Sequence, residues 1–495
     1  MQCLLAIDQS TSATKALLLD LHGERLGYAS CEHRQNYPCA GWVEHDAEEI
    51  WRNTLAVTEQ VLAVIPPRER EVACISIANQ RETFVIFERG SGRPLHHAIV
   101  WQCRRGDALC ALQNELGRAQ AVRYKSGLRI DSYFSAPKLQ WLVRERQDIA
   151  TRLADGTALI GTIDTYLIYR LTRGAVFATD CTNAGRTLLY DIRKLRWDEE
   201  FCTWWQVPRA ALAEVRACDA TFGETTLDGQ LDTPAPIRGV MGDSHAAMFA
   251  QQCLTVGSAK VTFGTGSSVL MNVGDQPPEA LRSAVGTLAW VRDDKPTYAL
   301  EGIVTSSGAT LTWLRDRLGI VGTCFESEAA MAADLPLDES VYVVPAFSGL
   351  GAPWWREAAR GAIVGLSAHS DRHHIVRAAL ESIAFQLRDV LDMMHEETGV
   401  ALREIRADGG ATANSFLMQF VADIVGVDLH VARHADRAAR GAALMGALGA
   451  GLPVALDRFV GTADDSIYRR KMVQDHAQAR YDGWLRAVNQ VLCGT

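Results

Sequence analysis

Asp243 stands where a general base could work. It follows an apolar, strand-like run over residues 237–241 and precedes a helix-like pattern over 246–252. A lone carboxylate at a strand-to-helix turn, facing a cleft between lobes, can take a proton from a bound hydroxyl. The competing role at this position is plain helix capping. Arg81 and Glu82 follow a buried strand over 74–78, and a guanidinium fork beside a carboxylate suits a hydroxyl-bearing ligand. A surface ion pair is the plainer alternative there. Trp101, after another strand, offers a flat wall to a pocket or simply fills the core.

Two turns could hold phosphate. Strand-like runs over 3–7 and 15–20 flank Asp8-Gln9-Ser10-Thr11-Ser12-Ala13-Thr14, a polar turn ending at Lys15. Successive N–H groups and hydroxyls in such a turn can cradle phosphate, and Lys15 adds positive charge. The design recurs in the second half. Runs over 260–263 and 269–273 flank Gly264-Thr265-Gly266-Ser267-Ser268. Two such hairpins, one opening each half, predict two lobes of similar build around one nucleotide. Ser306-Ser307-Gly308 opens a later helix. Asp408-Gly409-Gly410 leads to Asn414 and a further helix, and backbone at such a helix start can approach an adenine or ribose.

The elements that must position these groups alternate between strands and helices, which predicts α/β lobes. At 495 residues the chain exceeds one typical core, and we expect two lobes, 1–248 and 249–495. A helix is expected over 47–64, others from 133 and 162, and a polar loop over 180–187. Ser370 is expected to cap a long helix to about residue 394. His369, Asp371, His373 and His374 at its start read as a solvated first turn in preference to metal ligands. A formal charge of −9 argues against nucleic acid and anionic membrane surfaces. Asp8 interrupts the early apolar run, so no signal peptide is expected, and 441–456 reads as a buried helix and turn and not as a membrane span. Twelve cysteines without a Cys-x-x-Cys pair fit reduced thiols and a cytoplasmic protein.

Taken together these motifs resemble the FGGY carbohydrate kinases of the sugar kinase, Hsp70 and actin superfamily, nearly end to end. Residues 133–142 are similar to one family signature, and 409–426 to the other. Stretches 41–46, 79–83, 99–105, 344–353 and 360–362 look like the members that phosphorylate glycerol. The resemblance implies two actin-like (ribonuclease H-like) lobes, with ATP, Mg²⁺ and a small polyol in the cleft between them. It implies phosphate contacts from Thr11, Ser12, Lys15, Gly264, Thr265 and Gly266, and adenosine contacts from Gly308, Thr312, Gly410 and Asn414. It places Asp8 and Asp243 near the metal, through water or ATP. It sets Arg81, Glu82, Tyr133 and Asp243 on the acceptor hydroxyls, Trp101 against the carbon chain, and Asp243 as the base.

Two positions depart from the glycerol-type pattern. Ser244 stands where glutamine is usual, and Ser268 where an aromatic is usual. Both changes open the pocket, so glycerol is the leading acceptor and a four- or five-carbon polyol or ketose the alternative. The loop over 226–236 lacks the Gly-Gly-Thr-Arg pattern tied to sugar-bisphosphate control, which is not expected here. A non-catalytic actin-like ATP switch is the remote alternative, but it would not need Asp243, Arg81 and Glu82 together. The family resemblance also implies a homodimer or homotetramer.

Overall fold

The computed structural model describes residues 1–279, 281–321, 334–335, 340–433, 436–461 and 465–493. The first half is built on strands β1 (Gln2–Gln9), β2 (Ala13–Asp20), β3 (Arg25–Glu32), β4 (Glu71–Asn79), β5 (Thr221–Thr225) and β6 (Ala235–Gly242). They pair in the order β5-β6-β4-β1-β2-β3. Strands β1, β2 and β3 run antiparallel, while β4 and β6 lie parallel to β1. Continuous apolar sequence in β1 has a simple cause. Leu4 and Ala6 enter one core and Cys3, Leu5 and Ile7 the core on the opposite face, so both faces must be apolar. Helix α1 (Ser135–Glu145) lies in this half, and α2 (Asp243–Ala250) leaves the end of β6.

The second half repeats the plan. Strands β7 (Ser258–Phe263), β8 (Ser267–Gly274), β9 (Val285–Arg292), β10 (Lys295–Val304), β11 (Glu404–Asp408), β12 (Asp428–Val431) and β13 (Ser466–Tyr468) pair in the order β9-β10-β8-β7-β11-β12-β13. The run β10-β8-β7-β11-β12 has the order and sense of β3-β2-β1-β4-β6: three antiparallel strands, then two parallel ones. The β1–β2 and β7–β8 turns therefore occupy equivalent places in two similar sheets. Helices α3 (Gly308–Asp316), α4 (Arg372–Thr398), α5 (Ser415–Val425), α6 (Arg437–Gly449) and α7 (Gln474–Cys493) complete this half. Helix α6 crosses over: its Ala439, Ala442, Ala443, Leu444 and Met445 join the core of the first half.

Several local expectations are corrected. Asp371, not Ser370, caps α4: its carboxylate accepts from the His373 and His374 N–H groups, and its own N–H donates to His374 Nδ1. The capping box accounts for Asp371 and His374 in that cluster. Residues 180–187 are not an exposed polar loop. They are buried and include a short helix, Cys181–Ala184, capped by Asp180. Their polar side chains find partners within the segment and outside it, Asn183 with Asp180 and Asn79 and Arg186 with Glu82, which permits burial. Eleven cysteines are free thiols, and Cys324 lies outside the described residues. No described helix is long and apolar enough to cross a membrane.

Candidate active site

Asp243 is the first residue of α2, and Gly242 occupies the cap position. The capping alternative therefore does not hold. The Asp243 side chain is a third exposed, and its Oδ1 lies 3.6 Å from Arg81 Nε. The turn beneath it is fixed from the buried segment over 180–187. Gly242 N donates to Thr182 Oγ1 over 2.8 Å, and Thr182 Oγ1 donates to Asp180 Oδ2 over 2.6 Å. A Cβ on Gly242 would sit 2.7 Å from Arg81 Cγ, so glycine there lets Arg81 approach.

Arg81 and Glu82 are buried, not surface-paired. Arg81 Nη2 donates to Glu301 Oε1 over 2.8 Å. Arg186 Nε donates to Glu82 Oε1 over 2.6 Å, and Arg186 Nη1 lies 2.5 Å from Glu301 Oε2. Neither Arg186 nor Glu301 is evident from sequence, because these pairs span about 100 and 200 residues and leave no spacing to read. Paired guanidiniums hold the Glu301 carboxyl far below the usual range, against the desolvation that burial imposes. Burial pushes the Glu82 carboxyl up, with Arg186 and Arg81 opposing. Glu82 also takes a left-handed backbone, φ 63°, an uncommon conformation for this residue type. Its carbonyl accepts from Ser135 Oγ, the first residue of α1, over 2.7 Å.

The same helix sets Tyr133. Buried Lys138 sends its ammonium to the carbonyls of Ser132, Tyr133 and Phe134 at 2.5–2.9 Å, matching three donors to three acceptors. Burial pulls the Lys138 pKa down to about 7. The Tyr133 ring lies 5.2 Å from that of Trp101, and Trp101 Nε1 donates to Thr11 Oγ1 over 3.0 Å. Trp101 thus links Tyr133 to the β1–β2 turn. That turn is braced from behind. Gln35 Nε2 donates to Thr11 O over 2.8 Å, and His33 N to Ser12 O over 3.1 Å. Asp8 and Lys15 face one another across the β1–β2 pair, with Lys15 Nζ 3.8 Å from Asp8 Oδ2. Burial raises the Asp8 pKa to about 7, with Lys15 opposing and Asp243 and Asp436 reinforcing it. Asp436, just before α6, lies 4.0 Å from Lys15 and was not singled out in the sequence.

The second turn meets the helix starts read from sequence. Gly308 N donates to Gly264 O over 3.0 Å, and Ser307 N to Thr265 O over 3.1 Å. A Cβ on Gly308 would fall 2.6 Å from the Gly264 carbonyl, so this contact needs glycine. Gly266 packs against the Val304 carbonyl, and Gly409 against that of Phe263. Thr312 is exposed on α3. Gly410 opens the short turn Gly410–Ala413, and Asn414 Oδ1 caps α5 by accepting from Leu417 N over 2.9 Å. Ser244 N donates to Asp243 Oδ1 over 2.6 Å. Ser268 pairs with Ile303 on β10, two residues from Glu301, and its buried hydroxyl has no partner. A cavity of about 340 Å³ lies between the halves, lined among others by Tyr133, Arg186, Glu301, Ile303 and Trp355.

These features match known proteins along the whole chain. Residues 3–250 match the N-terminal domain of the FGGY family of carbohydrate kinases, and residues 259–450 match its C-terminal domain. The chain belongs to the FGGY family of carbohydrate kinases. A glycerol kinase of Carboxydothermus hydrogenoformans is 42% identical over 98% of this chain and 97% of its own. Glycerol kinase 1 of Thermotoga maritima is 42% identical over 99% of each. The crystal structure of Plasmodium falciparum glycerol kinase with ADP is 34% identical, with a TM-score of 0.95 over 99% of this chain and 98% of that one. A ligand-bound xylulose kinase of Lactobacillus acidophilus, 21% identical with a TM-score of 0.88, shares the fold. As an FGGY kinase the protein is an ATP-dependent phosphotransferase with two actin-like lobes.

Proposed function

We propose that this FGGY kinase transfers the γ-phosphoryl group of ATP to a primary hydroxyl of glycerol, giving glycerol 3-phosphate. The observation that carries the reading is Asp243 at the cleft, 3.6 Å from the buried guanidinium of Arg81. The relatives named above, glycerol kinases over nearly their full lengths, support the acceptor. Arg81, Glu82 and Tyr133 bind the acceptor hydroxyls, with Trp101 along its carbons. Asp243 accepts the proton of the attacking hydroxyl as the new P–O bond forms. Thr11, Ser12 and Lys15 from the first turn and Gly264, Thr265 and Gly266 from the second hold the phosphates, while Gly308, Thr312, Gly410 and Asn414 face the nucleoside. Positioning and charge neutralisation supply most of the catalysis in phosphoryl transfer.

Asp8 Oδ1 is buried without a hydrogen-bond partner, which fits an oxygen that serves a hydrated cation. Asp8, with Asp243 nearby, would hold Mg²⁺, whose charge neutralises the nucleotide phosphates when bound. Residues 1–248 form the acceptor and phosphate lobe and 249–495 the nucleotide lobe. Free thiols support a cytoplasmic setting.

A second reading is favoured by the unpartnered Ser268 hydroxyl and by the room in the cavity between the halves, which suit a four- or five-carbon polyol or ketose. Coupled ADP release with ATP-Mg²⁺ across glycerol, erythritol, threitol, xylitol, ribitol, dihydroxyacetone, erythrulose and xylulose tests both. Glycerol should give the highest kcat/KM. A longer acceptor ahead by tenfold, about 1.4 kcal/mol in transition-state binding, replaces it. ADP release indifferent to every acceptor sinks the kinase role.

A further inference from the structure

Glu301 is the only member of the buried ion network contributed by the second half, among the pairs described above. Its two oxygens are shared between two guanidiniums of the first half, Arg81 at 2.8 Å and Arg186 at 2.5 Å. The outer Nη2 of Arg81 and Nη1 of Arg186 meet Glu301, while their Nε atoms face Asp243 and Glu82, so charges alternate from Asp243 through Arg81, Glu301 and Arg186 to Glu82. Arg81, Glu82, Arg186 and Glu301 are each at most 6% exposed, so each charge depends on its neighbours for compensation.

Glu301 is also rigidly tied to the second phosphate-type turn. It sits on β10, and β10 pairs with β8, which begins directly after that turn: Ser267 is in register with Val304, and Leu270 with Glu301. Gly266 packs on the Val304 carbonyl, and the residues after β10, Ser307 and Gly308, donate to Thr265 and Gly264. A displacement of the turn relative to the first half therefore carries Glu301 with it.

We propose that Glu301, supplied from the nucleotide side of the cleft, is a positioning residue for the acceptor site. Seated between Arg81 and Arg186, it draws Arg81 away from full closure onto Asp243 and keeps Arg186 on Glu82. Asp243, and the Glu82 oxygen that Arg186 does not hold, then stay available to acceptor hydroxyls. Without the Glu301 charge, two buried guanidiniums face one another uncompensated, and each turns toward its remaining carboxylate. The acceptor loses its binding groups while the phosphate turns keep theirs. The inference rests on Arg81, Glu82 and Asp243 serving the acceptor, as proposed above.

The test is steady-state kinetics of Glu301→Gln and Glu301→Asp with the acceptor that the wild type uses best, each variant checked by thermal melting. Glu301→Gln should raise the acceptor KM about tenfold or more while the ATP KM stays within about threefold. Glu301→Asp, which keeps the charge on a shorter arm, should recover part of that loss. A general structural defect would move both KM values together and treat the two variants alike, and that result overturns the proposal. An unchanged acceptor KM in Glu301→Gln overturns it as well. Should Glu301→Gln fail to fold, Glu301→Asp decides alone: a raised acceptor KM with an unmoved ATP KM supports the positioning role, and an unmoved acceptor KM ends it. A wild type that shows no acceptor-dependent turnover refutes the functional reading itself, and this inference with it; normal wild-type turnover with a silent Glu301 refutes only the inference.

Discussion

Asp243, the base in the proposed reaction, is not needed to hold the fold together. Its side chain is a third exposed, and Arg81 keeps a second and closer carboxylate in Glu301. Asp243→Asn therefore removes the proton acceptor and leaves the buried network compensated. Turnover should fall by a factor on the order of 10² or more, the usual scale for losing a general base. Nucleotide affinity, read by titration with an ATP analogue, should stay within about threefold. Near-normal turnover would take Asp243 out of the reaction. At this scale the sequence marked Asp243, Arg81 and Glu82 because they stand at strand ends, and the structure brings Asp243 within 3.6 Å of Arg81. Arg186 and Glu301 were not marked. Arg186 lies in a segment whose composition suggests a solvent-facing loop, and Glu301 lies within an apolar strand. Each acquires its role only through a partner more than 100 residues away.

Elements were readable where one local rule governs them. The two hairpins follow from short apolar runs around polar turns, and α6 follows from its small residues. The buried segment over 180–187 was not, since polarity predicts exposure unless the partners are known. Here they are Asn79, 2.9 Å from Asn183, and Glu82, 2.6 Å from Arg186. A comparable buried polar junction joins α4 to α7 and has a measurable consequence. Asp389 on α4 accepts from Tyr481 Oη over 2.6 Å and from Trp484 Nε1 over 2.9 Å. Burial nonetheless raises its pKa from 3.8 to about 6. The unfolded chain releases this proton near 3.8 and the folded protein near 6, so the folded form holds an extra proton between them. The stability this group contributes is full below the unfolded value and is lost as pH rises through the folded one. A shift of roughly two units corresponds to about 3 kcal/mol at most. Asp389→Asn cannot titrate. Melting midpoints measured against pH should show the wild type losing stability relative to this variant between about pH 4 and 6. Parallel curves would mean that Asp389 titrates alike in both states.

At the scale of the molecule the two sheets are equivalent in plan, but the cores do not divide where the sequence divides. Residues Ala439, Ala442, Ala443, Leu444, Met445 and Ala447 of α6 are fully buried in the core of the first half, joined there by Phe459 and Val460. Helix α6 packs along α2, β4 and β6, the elements that carry Asp243 and end next to Arg81. Two distant parts of the chain thus enclose the base, and the first sheet lacks one of its covering layers until α6 arrives. A parallel sheet must be covered on both faces, because its strands are apolar on both. The fragment 1–250, which keeps α2 whole, should therefore expose the apolar face that α6 covers when expressed alone, melt without a cooperative transition and associate. Co-expression with 251–495 should restore a cooperative melt and acceptor-dependent turnover, since no covalent link after residue 250 is needed for α6 to pack on α2. Calorimetry of the fragment and of the reassembled pair checks this. A cooperative melt from 1–250 alone would mean that the rest of the first core suffices, and that α6 contributes position to the site without contributing the stability of the lobe.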